Sequence, residues 1–216
     1  MNKSQKKLNK EFLRSYFESN VWYETTFLGV RCLKSVADLW NYQEIIFELK
    51  PSLIIEFGTY YGGSTLFFAS LLDLVNHESK IISVDLDHSN TDPKVKNHPK
   101  IELLTSSSVD SSLVDYFTEL RKKNTGKAFV IIDSDHHKEH VLAEMNLLRN
   151  VLIKGDYLVV EDGIVNGNPI MPEFGEGPLE AINEYILKYP EDFVIDYERE
   201  KKFGFTFAPS GYLIKK

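Results

Sequence analysis

The 216-residue chain has a single cysteine, Cys32, so an intramolecular disulfide framework is excluded and a packed core must supply stability. One thiol fits a reducing compartment, and the cytoplasm is the expected location. No uninterrupted apolar run approaches the roughly 20 residues that cross a bilayer. The first ten residues, MNKSQKKLNK, are basic but lack the apolar stretch of a signal peptide, so no membrane association is expected. Positive charge is also short: 25 Lys and Arg stand against 32 Asp and Glu, a formal net charge of −7, leaving no excess to neutralise a phosphate backbone. Nucleic acid is therefore not an expected partner. No internal repeat, low-complexity tract or composition break divides the chain, and its length suffices for one α/β domain with a substantial core.

What is present centres on residues 51–72, PSLIIEFGTYYGGSTLFFASLL. Leu53, Ile54 and Ile55 form an apolar run of the kind buried on both faces of a parallel sheet, and Glu56 ends it. Gly58, Gly62 and Gly63 crowd a tight turn that permits positive φ and close approach of backbone to a ligand. A helix follows, with Ser64 or Thr65 available as its cap and Leu66, Phe67, Ala69, Leu71 and Leu72 as its packing surface. Dinucleotide binders space their glycines as G-x-G-x-x-G. Here the pattern is E-x-G-x-x-x-G-G-S, and the carboxylate of Glu56 would repel a pyrophosphate but attract an ammonium or sulfonium. The arrangement resembles the first motif of S-adenosylmethionine (SAM) dependent methyltransferases. The plainer reading is a polar strand end over a glycine turn.

Before this turn, Phe12, Leu13, Tyr16 and Phe17 fall at helical spacing, giving an amphipathic N-terminal helix for packing, for the site mouth or for a subunit contact; a homo-oligomer stays open. Asp38 is a candidate cap for a helix carrying Leu39, Trp40, Tyr42, Ile45, Ile46 and Leu49, with Pro51 beyond its end. After the turn, KIISVDLD (residues 80–87) reads as a second strand. Asp85, about 20 residues past the glycines, stands where such folds bond a ribose diol, or else caps the next turn. HSNTDPKVKNHPK is a loop with at most a short helix. Ile101 to Leu104 is a third strand, and the following Ser107 and Ser108 can bond an adenine edge or cap the helix from Val109 to Lys122. Ala128 to Ile132 and Tyr157 to Val160 are the fourth and fifth strands. The Gly/Pro-rich GIVNGNPIMPEFGEGP reads as a lid or substrate loop. Pro178 opens a further helix, and Phe193 to Tyr197 with Tyr212 to Lys215 read as an antiparallel pair closing the sheet edge. The expected fold is a doubly wound, Rossmann-like α/β domain with a mostly parallel seven-stranded sheet and ligands at the strands' carboxyl ends.

Three acids follow the fourth and fifth strands directly: Asp133, Glu161 and Asp162. Crowded carboxylates repel unless one is protonated or a cation sits among them, and an all-oxygen set suits Mg²⁺, Mn²⁺ or Ca²⁺. Each acid could instead cap its own turn. His136, three residues beyond Asp133, can accept a hydroxyl proton in the same pocket. His137 and His140 compete with it, but their neighbours do not make the H-E-x-x-H zinc motif.

With GVRCLKSVADLWNYQEIIFELKPSLIIEFGTYYGGS, the segments DSDHHKEHV, GDYLVVEDGI, GEGPLEAINEYI and PSGYLIKK follow in the order found in the cephalosporin hydroxylase-like family. The chain resembles that family over residues 27–216, and is similar to the metal-dependent sugar O-methyltransferases of macrolide biosynthesis. The resemblance implies a SAM-dependent methyltransferase domain at 51–216, with residues 1–50 as a helical segment packed on it. It implies Mg²⁺, or another hard divalent cation, on Asp133, Glu161 and Asp162, and His136 as general base in the place where catechol-type relatives use a lysine. Glu56, Gly58, Tyr60, Gly62, Gly63, Ser64, Asp85, Ser107, Ser108 and Asp133 become the candidate SAM contacts. The implied reaction is methylation of a hydroxyl on a small acceptor, a sugar or glycosylated natural product. A metal-assisted hydroxylase, which lacks an apparent 2-His-1-carboxylate triad here, and a non-catalytic SAM-binding partner protein are the alternatives.

Overall fold

Each apolar run ahead of an acidic residue becomes a strand of one sheet. The computed structural model describes residues 3–75 and 78–216, and its parallel strands are β1 (Leu53–Phe57), β2 (Lys80–Asp85), β3 (Ile101–Thr105), β4 (Ala128–Ile132) and β5 (Tyr157–Val160). Two later strands, β6 (Phe193–Ile195) and β7 (Tyr212–Lys215), complete a seven-stranded sheet in the order β3-β2-β1-β4-β5-β7-β6. β7 runs antiparallel to both of its neighbours. The expected α/β class and mixed sheet are borne out. The order reverses between β1 and β4, and at such a point the flanking connections diverge and leave a crevice beyond the strands' carboxyl ends.

Side-chain alternation along the strands decides what faces what. Leu53, Ile55 and Phe57 of β1, with Ala128, Val130 and Ile132 of β4, pack against α4 (Ser112–Lys123), α5 (Lys138–Arg149) and α6 (Pro178–Lys188) through Phe117, Met145, Leu148 and Ile182. Ile54, Phe129, Ile131 and Val159 point the other way, onto Tyr42, Ile45 and Ile46 of α2 (Val36–Leu49) and Phe68 and Leu72 of α3 (Gly63–Leu74). β1, β4 and β5 are buried along their whole length, which is why they read as unbroken apolar runs. α1 (Lys3–Glu18) lies apart and buries Leu13, with Tyr16 and Phe17, against Trp22, Ile164, Ile170 and Phe207. The face expected from helical spacing is thus used, except that Phe12 stays largely exposed.

Several local expectations are corrected. Glu56 does not end β1 but lies inside it, fully buried. Ser64 and Thr65 do not cap α3; Gly62 takes that position, and both hydroxyls donate instead to Glu56. Asp38 is not a helix cap: Ser35 precedes α2, and Asp38 accepts from Phe207 N at 2.8 Å and Tyr212 Oη at 2.6 Å, tying α2 to the chain before β7. Trp40 faces solvent. β6 stops at Ile195, because Asp196 accepts from Arg199 N and begins a short helix at Tyr197.

The glycine turn is shaped by protein rather than by ligand space. Gly58 has φ +95°, and a Cβ there would lie 2.0 Å from the carbonyl oxygen of Asp133; Gly175, at φ +92°, has nothing within 4 Å of that position. Gly175→Ala meets only the left-handed penalty of about 1–2 kcal/mol. Gly58→Ala adds a backbone collision and should lose more than about 3 kcal/mol in denaturant unfolding.

Candidate active site

The turn after β1, the ends of β2, β3 and β4, and the loops after β5 surround a cleft of about 590 Å³, within the range of small-molecule sites. One end is built by the glycine turn and Asp85. Asp85 Oδ2 accepts from the amides of Thr59 and Tyr60 at 2.8 and 2.9 Å, so the acid at the end of β2 fixes the turn's shape while facing the cleft. Gly58, Tyr60, Gly62, Gly63, Ser64, Ser107, Ser108 and Asp133 also line it. Tyr60 is held at φ +46°, and its ring lies against that of Tyr61. Glu56 is the exception: it does not face the cleft, and its carboxylate is spent on Ser64, Thr65 and Ser83, clamping β1, β2 and α3 together. Burial pushes its carboxyl above the ordinary range, and those hydroxyls and Lys34 oppose the rise.

The other end is acidic. Ile132 of β4 pairs with Val160 of β5, and the pairing continues through a 3.0 Å bond from Glu161 N to Ile132 O. Strand alternation then turns both Asp133 and Glu161 toward the α2 side. Asp162 has φ +54°, a conformation uncommon outside glycine, which takes its side chain out of the strand pattern and into the cleft. Donor atoms of Asp133, His136 and Asp162 lie within 4.8 Å of one another, and His136 Nε2 is 3.2 Å from Asp162 Oδ2. Two carboxylates and an imidazole at this spacing can hold a hard divalent ion or pass a proton.

Glu161 stands behind this group. It is only 2% exposed, and its Oε1 accepts from Tyr42 Oη at 2.5 Å and lies 3.1 Å from Lys34 Nζ. Lys34 Nζ also donates to Asp133 Oδ2. Burial, reinforced by Asp133 and Asp162, raises the Glu161 carboxyl to about 8 although Lys34 opposes the shift.

The family model for Rhamnosyl O-methyltransferase/CmcI matches residues 19–216. The chain belongs to the Rhamnosyl O-methyltransferase/CmcI family. The expectation drawn from the ordered motifs is therefore borne out. A rhamnosyl O-methyltransferase of Mycobacterium tuberculosis (strain ATCC 25618 / H37Rv) is 48% identical over 206 residues, covering 95% of this chain and 84% of the relative. A CmcI structure with Mg and SAM aligns with a TM-score of 0.69 at 21% identity, over 90% of this chain and 77% of that one. MycE, a methyltransferase of mycinamycin biosynthesis solved with Mg, SAH and mycinamycin VI, aligns at 0.52 with 17% identity, over 71% of this chain and 44% of that one.

Within the Rhamnosyl O-methyltransferase/CmcI fold of this chain, the three candidate histidines diverge. His136 faces Asp162; His137 bonds Asp135 and stacks on Phe174; His140 meets Ser108 Oγ at 2.9 Å and Glu144 Oε1 at 3.4 Å, and that carboxylate lifts its protonation above the ordinary range. Phe17 and Phe174, from the helix and loop expected near the site mouth, line the cleft, whereas Trp22 and the cation Lys34 carried no distinguishing signal in the sequence. A lysine beside Cys32 and Leu33 reads as one more charge; only its burial reveals it.

Because Glu161 titrates near 8 when folded and near its ordinary 4.5 when unfolded, the folded state holds the extra proton between those values. Its contribution therefore weakens stability as pH rises through that window. In EDTA, the unfolding midpoint of Glu161→Gln should gain on that of the unsubstituted protein from pH 4.5 to 8, with the gap smallest at the acid end.

Proposed function

We propose that the chain transfers a methyl group from S-adenosylmethionine to a hydroxyl oxygen of a rhamnose-type sugar on a small glycosylated acceptor. One observation carries this reading: the Asp133, His136 and Asp162 group opens into the same cleft as the glycine turn and Asp85. The curated relative's name, rhamnosyl O-methyltransferase, supports the sugar acceptor. Acids at both ends of the cleft favour a cationic methyl donor. Asp85 and the Thr59–Tyr60 amides fix the turn that would take the donor's ribose, and Ser107 and Ser108 would hold its adenine.

The acids fit a hard divalent ion, with Asp133 and Asp162 at the cleft and Glu161 behind them as the residues that would hold it, which leaves His136 as the base. When bound, such an ion lowers the cost of negative charge on an adjacent sugar oxygen. His136 takes the hydroxyl proton at Nδ1, while its Nε2, 3.2 Å from Asp162 Oδ2, donates to that carboxylate and so orients the ring. As the oxygen–methyl bond forms, the sulfur–methyl bond breaks and its electron pair neutralises the sulfonium. Phe17, Trp22, Met171 and Phe174 exclude water from the acceptor side and offer flat surfaces to a sugar's apolar face. The segment from Gly163 to Gly177 supports a lid role, since Val165, Ile170, Met171 and Phe174 from it line the cleft. The acidic net charge supports a partner other than nucleic acid. Among the described residues no helix is long and apolar enough to cross a membrane, and a sequence with one cysteine supports a reducing, cytoplasmic setting.

Transfer of label from methyl-labelled SAM to a panel of rhamnosides should require added Mg²⁺ and stop in EDTA. His136→Ala should cut the rate by about 10²–10⁴-fold while leaving SAM binding in place. Tight SAM binding without transfer to any glycoside, or undiminished transfer by His136→Ala, would overturn the assignment.

A further inference from the structure

Lys34 is used neither by the proton acceptor nor by the donor-binding turn, yet it is among the most deeply buried charges in the protein. Its side chain is 2% exposed, and its ammonium reaches two carboxylates, bonding Asp133 Oδ2 and lying 3.1 Å from Glu161 Oε1. The same Glu161 oxygen receives the hydroxyl of Tyr42, which is fully buried on α2. Among the described residues, no other lysine or arginine forms an ion pair with Asp133, Glu161 or Asp162; the remaining partner is His136, on Asp162. Glu56, on the same side of the sheet, has three hydroxyl donors of its own.

The charge count is instructive. With all three carboxylates ionised, as they would be around a bound ion, the cage carries −3, and one fixed ammonium brings it to −2, the complement of a single divalent ion. The contacts of Lys34 take Asp133 Oδ2 and Glu161 Oε1, and Asp133 still faces the cleft. We propose that Lys34 is a resident counter-cation of the metal cage: it holds Asp133 and Glu161 side by side before an ion arrives and sets the cage's net charge at −2. The proposal rests on the metal reading given above. Lys34 is on this view a positioning residue. Without it the cage would be short of positive charge when metal-free and would bind cations more tightly, trivalent ions most of all, because each extra unit of ion charge gains from the uncancelled carboxylate.

The test uses Lys34→Met, which keeps an unbranched side chain one atom shorter and removes its charge. Metal-free, its unfolding midpoint should fall below that of the unsubstituted protein, and saturating Mn²⁺ should raise it by more than it raises the parent. Its Mn²⁺ dissociation constant, from water-proton relaxation or calorimetry, should tighten by at least roughly tenfold. Competition by Tb³⁺ should improve more than that. Adding Glu161→Gln to Lys34→Met returns the cage to −2, so the double variant should recover metal-free stability and lose the affinity gain. A lysine that merely fills space predicts weaker binding of both ions in Lys34→Met and no rescue by the second substitution. Either result would overturn the proposal. If Lys34→Met is insoluble without metal, the solubility and midpoint of the double variant decide it alone, rescue supporting and failure overturning it. If the unsubstituted protein takes up no Mn²⁺, the metal reading falls and this inference with it. If it does, and Lys34→Met binds no tighter, only the counter-cation is lost.

Discussion

Like charges do not stay side by side in a protein interior without compensation, and this constraint organises the carboxyl edge of the sheet. The register of β4 with β5 leaves Asp133 and Glu161 no choice but to emerge as neighbours on the α2 side. Lys34 and Tyr42, brought there by the segment before α2 and by α2 itself, are the groups that make the placement tolerable. The acid cluster is thus not an accident of loop ends. It is a consequence of pleat parity, met by a cation and a phenol from a different part of the chain.

The same logic separates two kinds of acid that look alike in a sequence. Glu56, Asp38 and Asp156 are each buried among donors from distant segments and act as internal rivets: Glu56 joins β1, β2 and α3, Asp38 ties α2 to Phe207 and Tyr212, and Asp156 takes Arg121 and the amides of Ala128 and Ile153. Asp85, Asp133 and Asp162 instead face the cleft. Burial alone does not distinguish a rivet from a working group; the saturation of its lone pairs by fixed neighbours does.

Much of this was legible from the residues. Strands buried on both faces announce themselves as apolar runs, and an acid directly after such a run lands at the ligand edge of the sheet, so Asp85, Asp133, Asp162 and the serines after β3 could be placed before any coordinates existed. What escaped depended on contacts across the chain. Glu56 looked like a site acid because its motif position is right, while the hydroxyls that occupy it come from α3 and from Ser83 on β2. Asp38 resembled a helix cap because its partners lie some 170 residues away, at Phe207 and Tyr212. The glycines of the turn also make room for the chain, with the backbone of Asp133 against Gly58 and that of Arg31 against Gly63. None of these pairings leaves a trace in local spacing.

The position of β7 bears on how the molecule comes together. It follows β6 in sequence but sits between β5 and β6, so β6 has no neighbour until β7 is in place. β6 can therefore join the sheet only with or after β7, whereas the five parallel strands pair with one another independently of both. Phe205 and Phe207, against which α1 rests, lie in the connection between β6 and β7, and Phe207 N and Tyr212, at the start of β7, anchor Asp38. The aromatic side of the crevice is consequently built from segments far apart in the chain, whereas the glycine turn and Asp85 are joined across only 26 residues.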